Sequence, residues 1–493
     1  MRGRGRTEQS KSSRRRKRST QHSDEIGPPD IDDGCVGMEP MTEANPREPN
    51  TELCRKMLSP QNIALAAKNV KRNGGSGGID GVQTEDLYAY LKENWPRIEE
   101  LILTRKYKPQ PVRRKEIQKE NGGVRRLGIP CLIDRVIQQA MVQVLQPVFE
   151  PTFSDYSYGF RPHRSAEDAV RQAQVYMAEG YTHVVDLDLS KFFDTINHDL
   201  LMTLIDQQIE DKDIRRLIFE YLKCGVMDDG CLEETKEGTQ QGGPISPLLA
   251  NIYLTPYDKK LEERGLKFVR YADDCNIFTK SNYSCKRVKA SAIRFLEQKL
   301  KLKVNMEKTE ARSAVGSSFL GFTFLSTKWK KNGELGNCKP KEKKLKKFED
   351  NIRELTSRRK GESFKETVRK LNVYLRGWMN YYARSSLMKY IQEKAGWIRR
   401  RLRQKLWKLW KKGANRKAEL RKLGCKEWQL DRLGKATSKS YWRMAGALGR
   451  FITNRALTEV YGLIPIEETW KRLHEYHMKI DKALLGTEFR LYG

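Results

Sequence analysis

The stretch that most constrains this chain is FVRYADDCNIF, residues 268–278, in which two adjacent aspartates separate two short apolar runs. Each run has the length and composition of a strand, so the segment predicts a β-hairpin with Asp273 and Asp274 at its tip. Two neighbouring carboxylates resist ionisation together, and they are costly to bury without a positive partner. The surroundings of this hairpin must therefore supply compensating positive charge.

A second run, THVVDLDL at 182–189, alternates as a strand and places Asp186 and Asp188 on one face. If this strand neighbours the hairpin, then Asp188, Asp273 and Asp274 converge at one edge of a sheet. Divalent metal commonly resolves such a cluster, because Mg²⁺ takes carboxylate and phosphate oxygens. Two such ions can activate a 3′-hydroxyl and stabilise a leaving pyrophosphate. The alternative is a solvated turn, since an Asp-Asp pair alone is common.

The charge balance of the chain predicts a polyanionic partner. The 493 residues carry 95 Lys and Arg against 63 Asp and Glu, a net charge of +32, which repels itself unless a partner neutralises it. No apolar run approaches the roughly 20 residues that span a bilayer, and no signal peptide opens the chain. The nine scattered cysteines form no CxxC pair. They indicate reduced thiols and no zinc site, as in a cytoplasmic protein. We therefore expect a cytoplasmic, nucleoprotein-associated protein that has no membrane partner.

Changes in composition divide the chain into five segments. Residues 1–50 predict a disordered basic tail. An RNA-binding arm and a tail without function are equally compatible with this composition. Residues 51–110 predict a helical extension, and residues 111–330 predict an α+β domain with a mainly antiparallel sheet. Residues 335–425 are helical and basic. Residues 426–493 have mixed charge and predict a small accessory domain.

The helical segment 335–425 carries an unusual density of positive charge. Thirteen Lys and Arg residues stand against one acid between Lys394 and Lys422, with Trp407 and Trp410 among them. A solvated helix face is the alternative, but this density favours contact with nucleic acid. The candidate nucleic-acid-binding residues are Arg399, Arg400, Arg401, Arg403, Lys405 and Lys408.

Six segments, in their order along the chain, resemble one branch of the reverse transcriptases. The YADD sequence between apolar strands resembles their metal-binding hairpin. The other segments are GVRRLGIPCLIDRVIQQA (123–140), SYGFRPHRSAEDAV (157–170), DLDLSKFFDTINHDLL (186–201), GTQQGGPISPLLANIYL (238–254) and the maturase-like LNVYLRGWMNYY (371–382). Over roughly 55–490, the chain resembles the group II intron-encoded reverse transcriptase–maturases.

This resemblance implies a right-hand polymerase. Fingers and palm would occupy 111–330, a helical thumb or maturase domain 335–425, and a DNA-binding-like domain 426–493. The implied function is RNA-directed DNA synthesis, together with binding of the intron RNA to assist splicing and its copying by target-primed reverse transcription. The implied partners are group II intron RNA, a DNA target or primer, and dNTPs, with a homodimer left open.

The resemblance also assigns roles at the carboxylates. Asp188, Asp273 and Asp274 would bind two Mg²⁺ ions, for which Mn²⁺ is a substitute, and Asp186 would serve structure. Many relatives continue into a zinc-supported HNH endonuclease. The chain stops at Gly493 without paired cysteines, so we expect no nuclease here.

Further roles concern the incoming nucleotide. Lys119 and Arg125 would hold its triphosphate, since charged donors on a mobile hairpin suit phosphoryl transfer. Gln241 would lie along the nucleotide. An aromatic ring after Asp188 would exclude a 2′-hydroxyl, with Phe192 favoured and Phe193 its close rival; core packing is the alternative role for either ring.

One position departs from the pattern of the family. The usual Pro-Gln-Gly-Gly has Gln240 in place of proline, which is expected to loosen the loop slightly while leaving Gln241 in place.

Two alternative functions are weighed. One is a domesticated reverse transcriptase of a defence or CRISPR-type system, and the other is a non-catalytic RNA-binding splicing factor. The maturase-like segment argues against the first, and the complete set of aspartates argues against the second. A generic polymerase or cyclase with the same palm chemistry would not carry SYGFRP or LRGW.

Overall fold

The computed structural model describes residues 52–118, 124–228, 230–326, 335–359, 361–434 and 441–488. All of them belong to one compact unit, Pro49–Gly493. The basic tail predicted for residues 1–50 lies outside the described residues. Within the described ranges no helix combines the length and the apolar character needed to cross a bilayer.

Short strands are distributed over three sheets. In chain order they are β1 (Val112–Gln118), β2 (Val124–Ile129), β3 (His183–Leu187), β4 (Val226–Asp228), β5 (Cys231–Glu233), β6 (Lys267–Tyr271), β7 (Asp274–Thr279), β8 (Glu310–Ser313), β9 (Ser318–Phe319), β10 (Phe322–Phe324) and β11 (Cys338–Pro340).

Helices surround and connect the sheets. They are α1 (Glu52–Leu58), α2 (Pro60–Asn73), α3 (Leu87–Leu103), α4 (Leu132–Phe149), α5 (Ala166–Ala178), α6 (His198–Asp206), α7 (Lys212–Lys223), α8 (Ser246–Glu263), α9 (Asn282–Gln298), α10 (Glu342–Leu355), α11 (Phe364–Tyr382), α12 (Met388–Leu409), α13 (Gly413–Lys422), α14 (Glu427–Gly434), α15 (Tyr441–Ala447), α16 (Asn454–Glu459) and α17 (Ile466–Glu488).

The fingers sheet has the strand order β2-β1-β4-β5. The strands β1 and β2 form an antiparallel hairpin in which Gln118 pairs with Val124, while β4 lies parallel to β1. Helices α1 and α2 pack on α4 beside this sheet. Ser59 caps α2, because its hydroxyl accepts a hydrogen bond from the Asn62 amide at 3.4 Å.

The palm sheet has the order β6-β7-β3-β8, and every neighbouring pair is antiparallel. This confirms the predicted α+β class with an antiparallel sheet. Val185 and Leu187 face a core built with α4, α8 and α9, whereas Val184 and Phe278 face a second core built with α5 and the thumb helices. Since side chains alternate along a strand, Asp186 lies on the face of Val184.

The helices after β11 continue the second core rather than starting a new one. The apolar stripe of α11, which includes Leu371, Leu375 and Met379, is fully buried against α10 and α17. Helix α12 contacts both α15 and α17. The elements after residue 426 therefore pack directly on the thumb helices. The predicted boundaries between 335–425 and 426–493 stay predictions.

Candidate active site

The tip of the palm hairpin is a two-residue turn. Tyr271 pairs with Asp274, and Ala272 adopts the left-handed conformation with φ of +58°. On the neighbouring strand Leu187 pairs with Cys275, so Asp188 leaves β3 at the same end of the sheet. Alternation along the strands puts Asp186, Asp188 and Asp274 on one face. The strand register thus brings Asp188 and Asp274 to one end of the sheet, and the role of Asp188, Asp273 and Asp274 stays a prediction.

The segment Ser157–Phe160 braces this tip. Ser157 forms a parallel bridge with Arg270, and the Tyr158 amide donates to the Arg270 carbonyl at 2.9 Å. A Cβ on Gly159 would lie 2.4 Å from the Ala272 nitrogen. Only glycine permits this approach of two backbones, which explains why this motif accompanies the YADD hairpin.

Arg270 holds the turn from the opposite face of the sheet. Its guanidinium is 1% exposed and pairs with the fully buried Asp258, with an Nη2–Oδ2 distance of 2.5 Å. It also donates to the carbonyl of Ala272 at 2.9 Å and to the Asn251 amide oxygen at 3.0 Å. The cation inside the hairpin therefore positions the turn rather than neutralising Asp273 and Asp274.

Cations from other elements face the carboxylates. Arg312 on β8 donates to Asp186 at 3.0 Å, and the Lys308 ammonium lies 3.3 Å from the Asp188 carboxylate. Lys341, at the start of α10, acts favourably on Asp274. The compensating charge comes from the strand and helix that follow the hairpin in the chain. The sequence alone did not reveal these residues, because no local pattern in it shows that β8 lies beside β3.

This compensation is incomplete. Burial, together with the carboxylates of Asp186 and Asp273, raises the pKa of Asp274 to about 8, although Lys341 opposes the shift. Burial also raises the pKa of Asp186, although Arg312 opposes that shift. The cluster therefore carries more negative potential than its neighbours neutralise.

The donors fit a divalent cation by their chemistry. Among the described residues no three acidic, imidazole or thiolate side chains already surround a point that could hold an ion, and Asp188 is turned toward Lys308. However, the donors are carboxylate oxygens, the ligands that Mg²⁺ prefers. Asn276, directly opposite Asp186, has a buried amide with no hydrogen-bond partner in the described part of the chain. An unsatisfied amide beside an acidic cluster is consistent with a hydrated cation there.

A cleft of about 650 Å³ lies between the fingers sheet and the palm. Arg114, Arg126, Lys191 and Lys303 line it together with the predicted Gln241. The Gln241 carbonyl accepts a hydrogen bond from the Gly128 amide at 2.9 Å. A Cβ on the following glycine would lie 2.6 Å from the Gly128 carbonyl oxygen. The loop therefore needs a glycine at position 242, because any side chain there would clash with β2.

Gln240 anchors this loop through its side chain. Its amide nitrogen donates to the Tyr221 carbonyl at 3.0 Å, and its backbone carbonyl accepts from the Ser246 hydroxyl at 2.7 Å. The loosening expected from a missing proline has no counterpart in these contacts, because the side chain ties the loop to α7.

The two rings after Asp188 have different environments. Phe192 is 2% exposed and belongs to the palm core, whereas Phe193 is only partly buried and packs edge-on against Phe192. Lys191, which precedes them, adopts φ of +50°, so the alternation of β3 does not continue to the rings. The neighbouring Asp194 lines the cleft. The burial of Phe192 favours Phe193 as the ring that faces a nucleotide. Lys119 and the side chain of Arg125 lie outside the described residues.

Most of the cations predicted to bind nucleic acid are held by protein groups. Arg399 forms two hydrogen bonds with Glu467 at 2.6 and 2.9 Å, and the 1%-exposed Lys405 donates to the Thr367 hydroxyl. Arg403 is buried and donates to the Ile452 carbonyl at 2.7 Å. These three residues tie α12 to α11 and to the C-terminal elements.

Arg400 is also engaged, since it donates to the Trp442 carbonyl at 2.9 Å and stacks 3.9 Å from its ring. Arg401 and Lys408 differ, because both line an open polar recess. Arg399 and Arg403 are less accessible to nucleic acid than the other candidates, because α15, α17 and the segment before α16 cover that face of the helix.

Two family models match the chain. Residues 117–324 match the reverse transcriptase (RNA-dependent DNA polymerase) model, and residues 345–424 match the group II intron, maturase-specific domain. The chain is therefore a reverse transcriptase. It belongs to the family of group II intron-encoded reverse transcriptases that carry a maturase domain. The presence of both regions favours a reverse transcriptase with maturase function over a defence or CRISPR-type reverse transcriptase and over a non-catalytic splicing factor.

Individual relatives agree with this assignment. Protein YkfC of Escherichia coli K12 is 34% identical over 302 residues, which cover 52% of this chain and 78% of that protein. The group II intron-encoded protein LtrA of Lactococcus lactis is 34% identical over 274 residues. That match covers 55% of this chain and 45% of LtrA, so the chain spans less than half the length of that relative. Among solved structures, a partial Cas6-RT-Cas1–Cas2 complex matches with 22% identity and a TM-score of 0.33, covering 53% of this chain and 44% of that one.

Proposed function

We propose that this chain extends a DNA primer on an RNA template at the carboxylates of the palm sheet. The observation that carries the proposal is the strand register, which brings Asp188 and Asp274 to one end and one face of the sheet. The raised pKa of Asp274 supports it, because burial beside other carboxylates makes this carboxyl hard to ionise without an added cation.

Reverse transcriptases are generally metal-dependent. Asp188, Asp273 and Asp274 would hold two Mg²⁺ ions, or Mn²⁺ in their place. Bound there, the ions would supply the charge that favours ionisation of the primer 3′-hydroxyl and departure of pyrophosphate. Lys308 would give up its contact with Asp188 when the carboxylate turns toward an ion.

The groups around the cleft would orient the nucleotide. Gln241 would lie along the incoming dNTP, and Lys119 and Arg125 on the fingers hairpin would hold its triphosphate through charge-assisted hydrogen bonds. Phe193 would meet the sugar and exclude a 2′-hydroxyl, while Phe192 supports it from the core. Arg270 holds the turn that carries Asp273 and Asp274, so these two residues need little backbone reorganisation.

The second part of the proposal concerns RNA. The chain would bind the intron RNA from which it is encoded, assist its splicing, and copy it into DNA at a target site. The match of residues 345–424 to the maturase-specific model and the net charge of +32 support this role. The DNA target, the dNTPs and a homodimer belong to the proposal as well.

Primer extension by the double variant Asp273→Ala/Asp274→Ala tests the polymerase. Loss of metal-supported charge stabilisation should lower the rate by at least about 10³-fold. Asp199→Ala is the matched control, because this aspartate is exposed at the start of α6, and it should leave extension unchanged. Undiminished cDNA synthesis by the double variant, at an unchanged melting temperature, would refute the assignment of these carboxylates.

A further inference from the structure

A polar recess of about 380 Å³ lies where the segment after α10, the C-terminal half of α12 and the start of α15 meet. Its lining includes Arg358, Arg359, Arg401, Gln404, Lys408 and Tyr441. Four of these side chains are cations, and no carboxylate lines the recess among the residues that the structure describes. The recess is distinct from the nucleotide cleft, which other residues line.

The cations are arranged by contacts with neutral groups. Arg401 is half-buried and donates to the Thr356 hydroxyl at 2.6 Å and to the Arg353 carbonyl at 3.0 Å. The Lys408 ammonium donates to the Arg358 carbonyl at 2.8 Å, and the Arg358 guanidinium stacks 4.7 Å from the centre of the Tyr441 ring. These contacts fix positions without neutralising charge.

Within the described part of the chain, none of Arg358, Arg359, Arg401 and Lys408 forms an ion pair with a carboxylate. This contrasts with Arg353, Lys394 and Arg399 nearby, which all do. Burial lowers the pKa of Arg401, and repulsion from Arg353 and Arg358 lowers it further. Cations that crowd one another in a concave, partly buried site lack an anion that would stabilise them.

We propose that this recess binds backbone phosphates of the RNA whose splicing the chain assists. Guanidinium groups suit phosphate oxygens, since they offer paired donors in a plane. The proposal rests on the maturase part of the proposed function. It favours the spliced RNA over the primer–template because every lining residue except Tyr441 lies within the maturase-specific match, residues 345–424.

Position along the thumb agrees with this choice. Lys341, which acts on Asp274, precedes α10, and the recess lies beyond its other end. The 14 residues of α10 span about 21 Å at 1.5 Å per residue. The recess and the active-site carboxylates therefore lie near opposite ends of α10.

The test uses the full chain with its cleft filled by a dideoxy-terminated primer–template and the next dNTP, and a labelled RNA hairpin as the probe. The phosphate contribution does not depend on sequence, so an arbitrary hairpin suffices. Each lost phosphate contact lowers the slope of log K against log salt by about 0.7. Arg358→Gln/Arg359→Gln should therefore lower the slope by about 1.4 and the affinity about 25-fold at 0.1 M salt.

Two variants control for charge and for folding. Arg294→Gln/Lys299→Gln removes two exposed cations at the end of α9 on the palm and should keep the slope of the unsubstituted chain. Arg358→Lys/Arg359→Lys keeps the charge and should also keep most of the slope. An unchanged slope in the Gln pair would overturn the proposal, as would an equal loss in the control pair.

Primer extension measured in parallel separates this proposal from the polymerase assignment. The Gln pair should extend a primer–template with the same KM as the unsubstituted chain. A raised KM for the primer–template, with an unchanged salt dependence of RNA hairpin binding, would show that the recess holds the primer–template. This result would refute the spliced RNA as the ligand of the recess. Failure of the polymerase assignment would appear differently, as active extension by Asp273→Ala/Asp274→Ala.

Discussion

Asp481 on α17 is the point at which the palm, the thumb and the last helix are joined. Arg384, just after α11, donates to both of its carboxylate oxygens, at 2.7 and 2.5 Å, and Arg171 on α5 donates at 3.1 Å. The side chains of Arg384 and Asp481 are 1% and 3% exposed. Arg384 also donates to Gln174 at 3.2 Å. One carboxylate therefore satisfies guanidiniums from two parts of the fold.

Replacing Asp481 with alanine leaves the Arg384 guanidinium buried without its anion. Breaking a buried pair in this way typically costs about 3–5 kcal/mol, much of it the desolvation of the remaining charge. The unfolding entropy is about 2.1 cal/mol/K per residue. For the unit Pro49–Gly493 it amounts to about 0.9 kcal/mol/K, so the melting temperature should fall by roughly 3–6 °C.

Asp350→Ala is the matched control. Asp350 pairs with Arg353 at 2.6 Å, but its side chain is 55% exposed and the pair lies within one helix. Exposed pairs of this kind contribute about 0.3–0.5 kcal/mol, so the melting temperature should change by less than about 1 °C. The comparison holds residue type constant, and the two sites differ in burial and in the number of guanidiniums that the aspartate binds.

Differential scanning calorimetry gives both melting temperatures, and primer extension at low temperature tests the palm separately. The carboxylates of the active site lie on β3 and the palm hairpin, so Asp481→Ala should keep single-nucleotide addition while losing thermal stability. Equal shifts for Asp481→Ala and Asp350→Ala would refute the reasoning, since burial would then not determine the strength of the pair.

Two further predictions concern the nucleotide site and the dependence of stability on pH. Phe193→Ala should raise the rNTP/dNTP incorporation ratio, whereas Phe192→Ala should lower stability by about 3–5 kcal/mol because it leaves a core cavity; the reverse pattern would contradict the burial argument. Burial raises the pKa of Asp134 to about 6 from an ordinary 3.8, although Tyr107 and Tyr221 donate to it. The folded state then binds the proton of Asp134 more tightly than the unfolded chain does. The protonated carboxyl therefore adds about 3 kcal/mol to the free energy of unfolding below pH 4, and this contribution is lost as the pH rises through 6. In urea unfolding, the free energy of unfolding of Asp134→Asn should fall less between pH 4 and 7 than that of the unsubstituted chain. An unaltered pH profile in the variant would exclude Asp134 as the source of this fall.

Local patterns in the sequence predicted the elements of the fold where short-range physics decides them. The hairpin around Asp273 and Asp274 is one example, since β6 and β7 pair across a two-residue turn. The alternation that separated Asp186 and Asp188 from Leu187 is another. The position of β8 beside β3 and the packing of α17 on α11 depend on contacts between distant residues, and no local pattern encodes them.

Within the site, the carboxylates were predictable and their partners were not. Asp273 and Asp274 stand in a hairpin that specifies its own geometry. Lys308, Arg312 and Lys341 reach the site only through the sheet order and the entry of α10. The choice between Phe192 and Phe193 depended on the φ of one residue, Lys191. A change of one backbone angle at a strand end decides which of two adjacent rings enters the core.

The basic helix α12 shows why a count of charges does not identify a binding surface. Arg399, Arg401 and Arg403 are close in sequence, but 100° per residue sends them to different neighbours. Arg399 meets Glu467, Arg403 meets backbone and amide oxygens, and Arg401 meets a hydroxyl and a carbonyl beside other cations. A cation next to a carboxylate is already neutralised, whereas a cation held only by neutral oxygens keeps its full attraction for phosphate. The nature of the protein partner and the exposure of the cation, more than the number of cations, therefore separate the residues that stabilise the thumb from those that can bind RNA, since Arg403 is held by neutral oxygens but is buried.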